Sequence, residues 1–437
     1  MSRASCRDRL ELALARIADP NGEGARACLT VYADAARAAA DAADARAAGG
    51  ATLGPLDGAI VSIKDLFDVS GEATRAGSKI LAEEAAPAAS DAAVVWRLRG
   101  AGAVIVAKTN MSEFAFSGIG ANPHFGTPRN PRDRARVPGG SSAGAPIAVA
   151  DGMCDIAIGT DTGGSVRIPA ALCGLVGFKP SRQRIPTDGA FPLSKTLDSV
   201  GPIGSSVADC AKADAIMAAN TFTPFEPAAL AGLRFGVAEG MPLDRLDDTV
   251  AAAFAAMIAR LDDAGMQISR ETLSPLFDDM NAVNAKGGIS PPEACAVHRD
   301  RLHRRAADID PNVRARIERG CAVTKADYAD MLQERARLVR AMDARLAALD
   351  ALVMPTTSIV APTIAEVADP KVFATRNAAV LRNTAIVNFF DLCAISLPLP
   401  AAQAGALPVG LMLIARNGQD HRLLRVASAV MQLSGAD

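Results

Sequence analysis

Two glycine pairs in this chain run directly into serine, at Gly139-Gly140-Ser141-Ser142 and at Gly163-Gly164-Ser165. Glycine lacks a Cβ, so each pair lets the backbone turn sharply and offers unhindered N–H groups to whatever the serine faces. Donors placed this way stabilise the negative oxygen that forms when a nucleophile attacks a carbonyl. Each pair also fits a purely structural tight turn, and the residues alone leave the two readings open. Phosphate binding fits neither pair, because no G-x-x-x-x-G-K-[ST] occurs and the glycines lack the spacing of a dinucleotide fingerprint. No cofactor is therefore expected.

Two lysines stand where apolar runs stop. Ala59-Ile60-Val61-Ser62-Ile63 reads as a buried strand ending at Lys64-Asp65, and residues 103–107 read as another ending at Lys108-Thr109-Asn110. Side chains at strand ends are aimed by a rigid sheet, which suits functional groups. Between these runs a helix is expected from Asp91 through Arg99, with Val94, Val95 and Leu98 inward and Gly100 as its stop. Strand, helix and strand in that order predict an α/β fold with a large mixed or parallel sheet covered by helices on both faces. Further strands are expected at 155–159, 233–238, 351–355, 394–398 and 409–414, and helices at 7–18, 26–48, 143–150 and 248–263. Residues 276–345 are polar and helical in pattern, as a cover over a cleft would be. No repeat or linker divides the chain, so one domain is expected over 1–437, with 1–50 as its N-terminal helical part and 276–345 as its embedded cover.

The 437 residues balance 48 acidic against 46 basic side chains with no long basic run, which argues against general nucleic-acid binding. No stretch approaches a membrane span and the N-terminus lacks the apolar core of a secretion signal, so a cytoplasmic protein is expected. The eight cysteines are scattered without a C-x-x-C pair, and most are expected as reduced core residues. Four dispersed histidines make a metal site improbable, and none is expected.

Between Pro138 and Pro169 the chain reads PGGSSAG and then GTDTGGSVRIP, with twenty-four positions from Ser141 to Ser165. This segment resembles the signature of the amidase signature family of serine amidohydrolases. The element Ile63-Lys64-Asp65, the block from Val106 to Phe114, and the C-terminal AISLP and LPVGLMLI are similar to other shared parts, so the likeness runs from about residue 50 to about residue 425. The resemblance implies the amidase signature fold and a Ser-cisSer-Lys triad, with Ser165 as nucleophile, Ser141 as bridging serine on a cis peptide bond, and Lys64 as base. It places the oxyanion among the N–H groups of Thr162, Gly163, Gly164 and Ser165. Ser142 is expected to orient the cluster by a hydrogen bond, Asp161 and Arg167 to hold the nucleophile loop in shape, and Thr160 to bond within that loop. Arg167 has an alternative reading as a contact for a substrate carboxylate. Lys64 must be neutral to take a proton, and a nearby carboxylate would oppose this, so Asp65 is expected to turn away. Ala143 and Pro146 depart from the family pattern, but neither removes a reacting atom.

Substrate choice is expected to lie in less patterned segments. Met111, Phe114, Phe116 and Phe191 could form an apolar acyl pocket, although each also fits ordinary packing. His298 and His303 read as solvated positions on an arginine-rich helix, and Lys108 as a strand-end charge. Arg129, Arg132, Arg134 and Arg136 form a local positive cluster that could steer an anionic substrate. The function implied is hydrolysis of a small-molecule amide to a carboxylic acid and ammonia or an amine, through an acyl-enzyme. Alternatives are the glutaminase subunit of a tRNA-dependent amidotransferase, a hydrolase of allophanate or urea-like amides, and an inactive scaffold of the same fold. No nucleic-acid or membrane partner is expected, and a homodimer stays open.

Overall fold

The structure, a computed structural model, describes residues 4–400 and 405–435. The expected spans 1–437 and 1–50 thus include residues 1–3, 401–404 and 436–437, which lie outside the described residues. Strands β1 (Cys28–Val31), β2 (Ile60–Lys64), β3 (Val104–Thr109), β4 (Ile156–Thr160), β5 (Val176–Lys179) and β6 (Val200–Gly204) come from the first half of the chain. They are followed by β7 (Arg234–Ala238), β8 (Gln267–Glu271), β9 (Ala351–Pro355), β10 (Cys393–Pro398) and β11 (Gly410–Ala415). All eleven share one mixed sheet, in the order β1-β3-β2-β4-β6-β5-β10-β11-β9-β7-β8.

The centre of this sheet aims the site. β2 pairs in parallel with β3 on one side and β4 on the other. Val61 and Ile63 pack with Val94, Val95 and Leu98 of the Ala93–Gly100 helix, whereas Ile60 packs with Ala145, Ile147 and Ala148 of the Gly144–Ala150 helix. Strand side chains alternate between faces, so Lys64 shares the face of Ile60. The Arg167–Cys173 helix lies on that same face through Val166 and Ala170. Each of these two helices begins just after one of the glycine-serine turns, which brings both turns over the end of β2.

One N-terminal expectation fails. The continuous helix over 26–48 is interrupted by β1, leaving a short Gly24–Ala27 helix and a longer Ala33–Ala48 helix. Leu29-Thr30-Val31 suits a pleated strand, and it pairs antiparallel with β3, Thr30 opposite Lys108 and Val31 opposite Ala107.

The region expected as a helical cover holds four helices, Ser274–Ala285, Ser290–Arg305, Pro311–Cys321 and Lys325–Leu346. The middle two rest on the segment after β3: Ala294, Cys295, Val313 and Ile317 share a core with Met111, Phe114 and Phe116. Two cysteines depart from the reduced state expected of most of them. Cys295 and Cys321 form a disulfide that ties those middle helices together, with Cα atoms 5.3 Å apart, and the other six cysteines are free and buried. Helix packing brings these two together across a sequence separation of 26, which their spacing did not disclose. Among the described residues no helix is long and apolar enough to cross a membrane.

Candidate active site

Lys64 closes β2 and is fully buried. Its Nζ lies 2.8 Å from Ser141 Oγ and donates to Thr160 Oγ1 at 2.9 Å. Burial drives the amine down to about 7, against Asp198 and Asp161, which push it up. The neutral form is therefore well populated near neutral pH. Asp65 does turn away: its carboxylate accepts from Arg75 Nε at 3.3 Å and from Gly77 N at 3.2 Å.

Ser141 is held by a loop that clasps its backbone. Ser112 N donates to Ser141 O at 3.0 Å, and Gly140 N donates to Gly118 O at 2.8 Å. A Cβ on Gly140 would sit 2.6 Å from Gly120 N, so the two segments approach this closely only because position 140 is glycine. The Gly140–Ser141 peptide bond is cis. Two supporting expectations are corrected here. Ser142 Oγ is buried without a hydrogen-bond partner, packed where Gly159 leaves room, so it does not orient the cluster by a bond. Thr160 bonds Lys64 rather than its own loop, because β4 ends beside β2.

Ser165 occupies the turn between β4 and the Arg167–Cys173 helix and is 4% exposed. Among the described residues its hydroxyl bonds no protein group, so Lys64 and Ser141 are brought together while the Ser141–Ser165 contact is left open. The N–H groups of Thr162, Gly163, Gly164 and Ser165 also donate to no protein group among the described residues. Thr384 Oγ1 donates to Gly163 O at 2.6 Å and so fixes the peptide plane between Gly163 and Gly164. Behind the turn, Arg167 meets Asp161 through Nη2 at 2.8 Å and Nε at 3.0 Å, with both side chains buried. The guanidinium also donates to Thr384 O and Asn388 Oδ1, and Nη1 faces Met412 Sδ. Burial pushes the Asp161 carboxyl up, and Arg167, Lys179 and Asn388 more than reverse this and hold it at about 2. With its donors taken up inside the protein, Arg167 has no fork left for a substrate carboxylate.

Asp198, Thr384 and Asn388 escaped the sequence reading. Asp198 accepts from Thr162 Oγ1 at 2.5 Å and from the N–H groups of Leu193 and Ser194 at 3.0 Å, and burial raises it to about 6. Glu293 of the Ser290–Arg305 helix continues this tie: it accepts from Ser194 Oγ, from Thr196 Oγ1 at 2.5 Å and from Tyr328 Oη at 2.5 Å. The one signal available was polar: Asn383, Thr384 and Asn388 are buried in a long helix, Pro370–Phe389, that packs on apolar neighbours.

The expected acyl-pocket residues are partly assembled. Phe114 and Phe191 stack with ring centroids 6.1 Å apart, and Phe116 lies on the same loop beneath Arg316. Met111 is buried beside Gly77 and Asn122, where its carbonyl accepts from Asn122 Nδ2 at 2.7 Å. His298 is not solvated. It is fully buried, 3.9 Å from the Phe114 ring centroid, and burial together with Arg301 lowers it to about 3. The spacing Ala294, Cys295, His298 sets it on the inward face of its helix, which the surrounding arginines mask in the sequence. His303 is exposed, as expected. Lys108 stands at the end of β3, as expected, and is buried, 3.9 Å from Glu72. No group of histidine, cysteine or carboxylate side chains suited to a metal occurs among the described residues.

The amidase family profile matches residues 8–424. The chain is similar to 2-amino-5-chloromuconic acid deaminase of Comamonas testosteroni, 38% identical over 409 residues that cover 92% of this chain and 87% of that protein. It is also similar to a glutamyl-tRNA(Gln) amidotransferase subunit from Symbiobacterium thermophilum, 35% identical over 460 residues, 97% of this chain and 92% of that one. A crystal structure of an amidase superposes with a TM-score of 0.87 at 32% identity, covering 98% of this chain and 96% of the other. The chain belongs to the amidase family, enzymes that act on carbon–nitrogen amide bonds.

Proposed function

We propose that this protein hydrolyses the amide bond of a small molecule to a carboxylic acid and ammonia or an amine, through an acyl-enzyme on Ser165. The observation that carries this reading is a buried amine, lowered to about 7, placed 2.8 Å from Ser141 Oγ beside a glycine turn whose four N–H groups have no partner among the described residues. Lys64 takes the Ser141 proton as Ser141 takes that of Ser165, whose oxygen attacks the carbonyl carbon. The reaction requires the Ser165 hydroxyl, free of protein partners at rest, to reach Ser141; such contacts commonly tighten only when substrate binds. The carbonyl oxygen becomes an anion facing the N–H groups of Thr162 to Ser165. Ser141 returns the proton to the departing nitrogen, the carbon–nitrogen bond breaks, and water repeats the relay to release the acid. Asp161 and Arg167 fix the turn that presents these donors, and Asp198 holds its Thr162 side.

The charge state of Lys64 supplies the test. Only the neutral amine accepts a proton, and its fraction grows as pH rises through about 7. Ammonia release from a simple amide is therefore expected to climb about tenfold per pH unit below that point and level off above it, read as kcat/KM. A flat profile from about pH 5 to about pH 9 would remove Lys64 as the base.

A further inference from the structure

Resting on the amidase reading, we propose that Arg316 binds a carboxylate carried by the substrate, so that the preferred substrates are amides of short dicarboxylic acids. The guanidinium of Arg316 lies over the Phe116 ring, 4.1 Å from its centroid, and donates from Nη1 to Phe116 O at 2.9 Å. Among the described residues no carboxylate pairs with it, and the charged group acting on it is another cation, Arg319. Arginine carries five N–H donors in one plane. Phe116 O takes one and the ring closes one face, leaving an edge that matches the two oxygens of a carboxylate. The side chain is only partly buried, yet desolvation pulls it down to about 10. A cation kept there without a counter-ion is costly to hold and suited to receive an anion.

Phe116 belongs to the loop that clasps the bridging serine, two residues before Gly118, whose carbonyl accepts from Gly140 N. Gly118 and Gly163 both border Leu381, which sets this loop beside the glycine turn before Ser165, so an anion at Arg316 and an amide at Ser165 can belong to one small molecule. Most other arginines that could do this are engaged. Arg167 is consumed by Asp161, Thr384 and Asn388. Arg134 pairs with Asp151, Arg136 with Asp133, and Arg129 lies 4.0 Å from Glu23. Arg132 is exposed against Gly174. Arg301, over Phe191, has Glu84 and Asp300 acting on it.

The test compares succinamate with butanamide, an uncharged amide of equal carbon number, and follows protection of Ser165 from a fluorophosphonate by succinate. The wild type is expected to favour succinamate in kcat/KM by on the order of a hundredfold, mainly through KM, and succinate is expected to slow labelling. Arg316→Gln is expected to erase most of that preference, Arg316→Lys to restore part of it, and Arg319→Gln to leave it as it was. Equal turnover of both amides by a labelled wild type, or a preference that survives Arg316→Gln, would overturn the carboxylate site while leaving the amidase intact. A wild type that neither reacts with the fluorophosphonate nor cleaves either amide would instead remove the amidase reading itself. Should Arg316→Gln fail to fold, the wild-type preference and succinate protection decide alone, and absence of both overturns the site.

Discussion

Lys64→Met is expected to yield a folded protein whose amide hydrolysis is slower by on the order of ten-thousandfold or more, because members of a proton relay act as a unit. Methionine fills much the same volume in the end of β2 but can neither accept a proton nor bond Thr160. The same substitution has an unusual signature in stability. Lys64 titrates near 10.5 when unfolded and near 7 when folded, so the unfolded chain binds the extra proton between those values. Stability of the parent then rises with pH across that window, and at its lower end the buried lysine costs a few kcal/mol. Lys64→Met lacks this cost and is expected to be more resistant to urea near pH 7, with the gap narrowing towards pH 10. Lost catalysis in a less stable variant would point to collapse of the site instead of removal of a base.

The second large effect concerns the buried pair behind the nucleophile turn. Asp161→Ala strands the Arg167 guanidinium in a dry interior and also releases Asn388 Nδ2, which donates to Asp161 Oδ1 at 2.9 Å. Breaking one side of a buried pair costs about 3–5 kcal/mol, measured here by chemical denaturation. Arg167→Met leaves the carboxylate instead, which can protonate, and combining the two substitutions is expected to destabilise by clearly less than their sum. The pH dependence has a definite sign. Asp161 is depressed from 3.8 to about 2, so its contribution is complete above the unfolded value and is lost as pH falls through the folded one. Additive losses in the double variant would show that the pair is not coupled.

The proposed reacting groups were legible because their placement is local. Lys64 is announced by a strand that stops, and Ser141 and Ser165 by glycine turns that each open a helix. Alternation along β2 then does the rest, turning Ile60 and Lys64 towards the Gly144–Ala150 and Arg167–Cys173 helices. What stayed hidden depends on partners far along the chain. Strand β1 needs β3 as its partner, Thr160 needs the neighbouring end of β2, and the disulfide needs two helices to pack. Arg316 reads like any other arginine of a charged helix until Phe116 is found beneath it. His298 was misplaced for a similar reason: the helix period favoured burial, and the basic residues around it concealed the period. Ser142 shows the converse, since a hydroxyl next to the bridging serine invites a bonding role that the packing at Gly159 does not give it.

Intact-protein and peptide mass spectrometry after exposure to a fluorophosphonate bears most directly on the proposed chemistry. One adduct is expected per chain, on the peptide that contains Ser165, with reactivity lost in both Ser165→Ala and Lys64→Met. An unmodified wild type, or an adduct found on Ser141, would contradict the assignment of Ser165 as the nucleophile served by a neutral lysine.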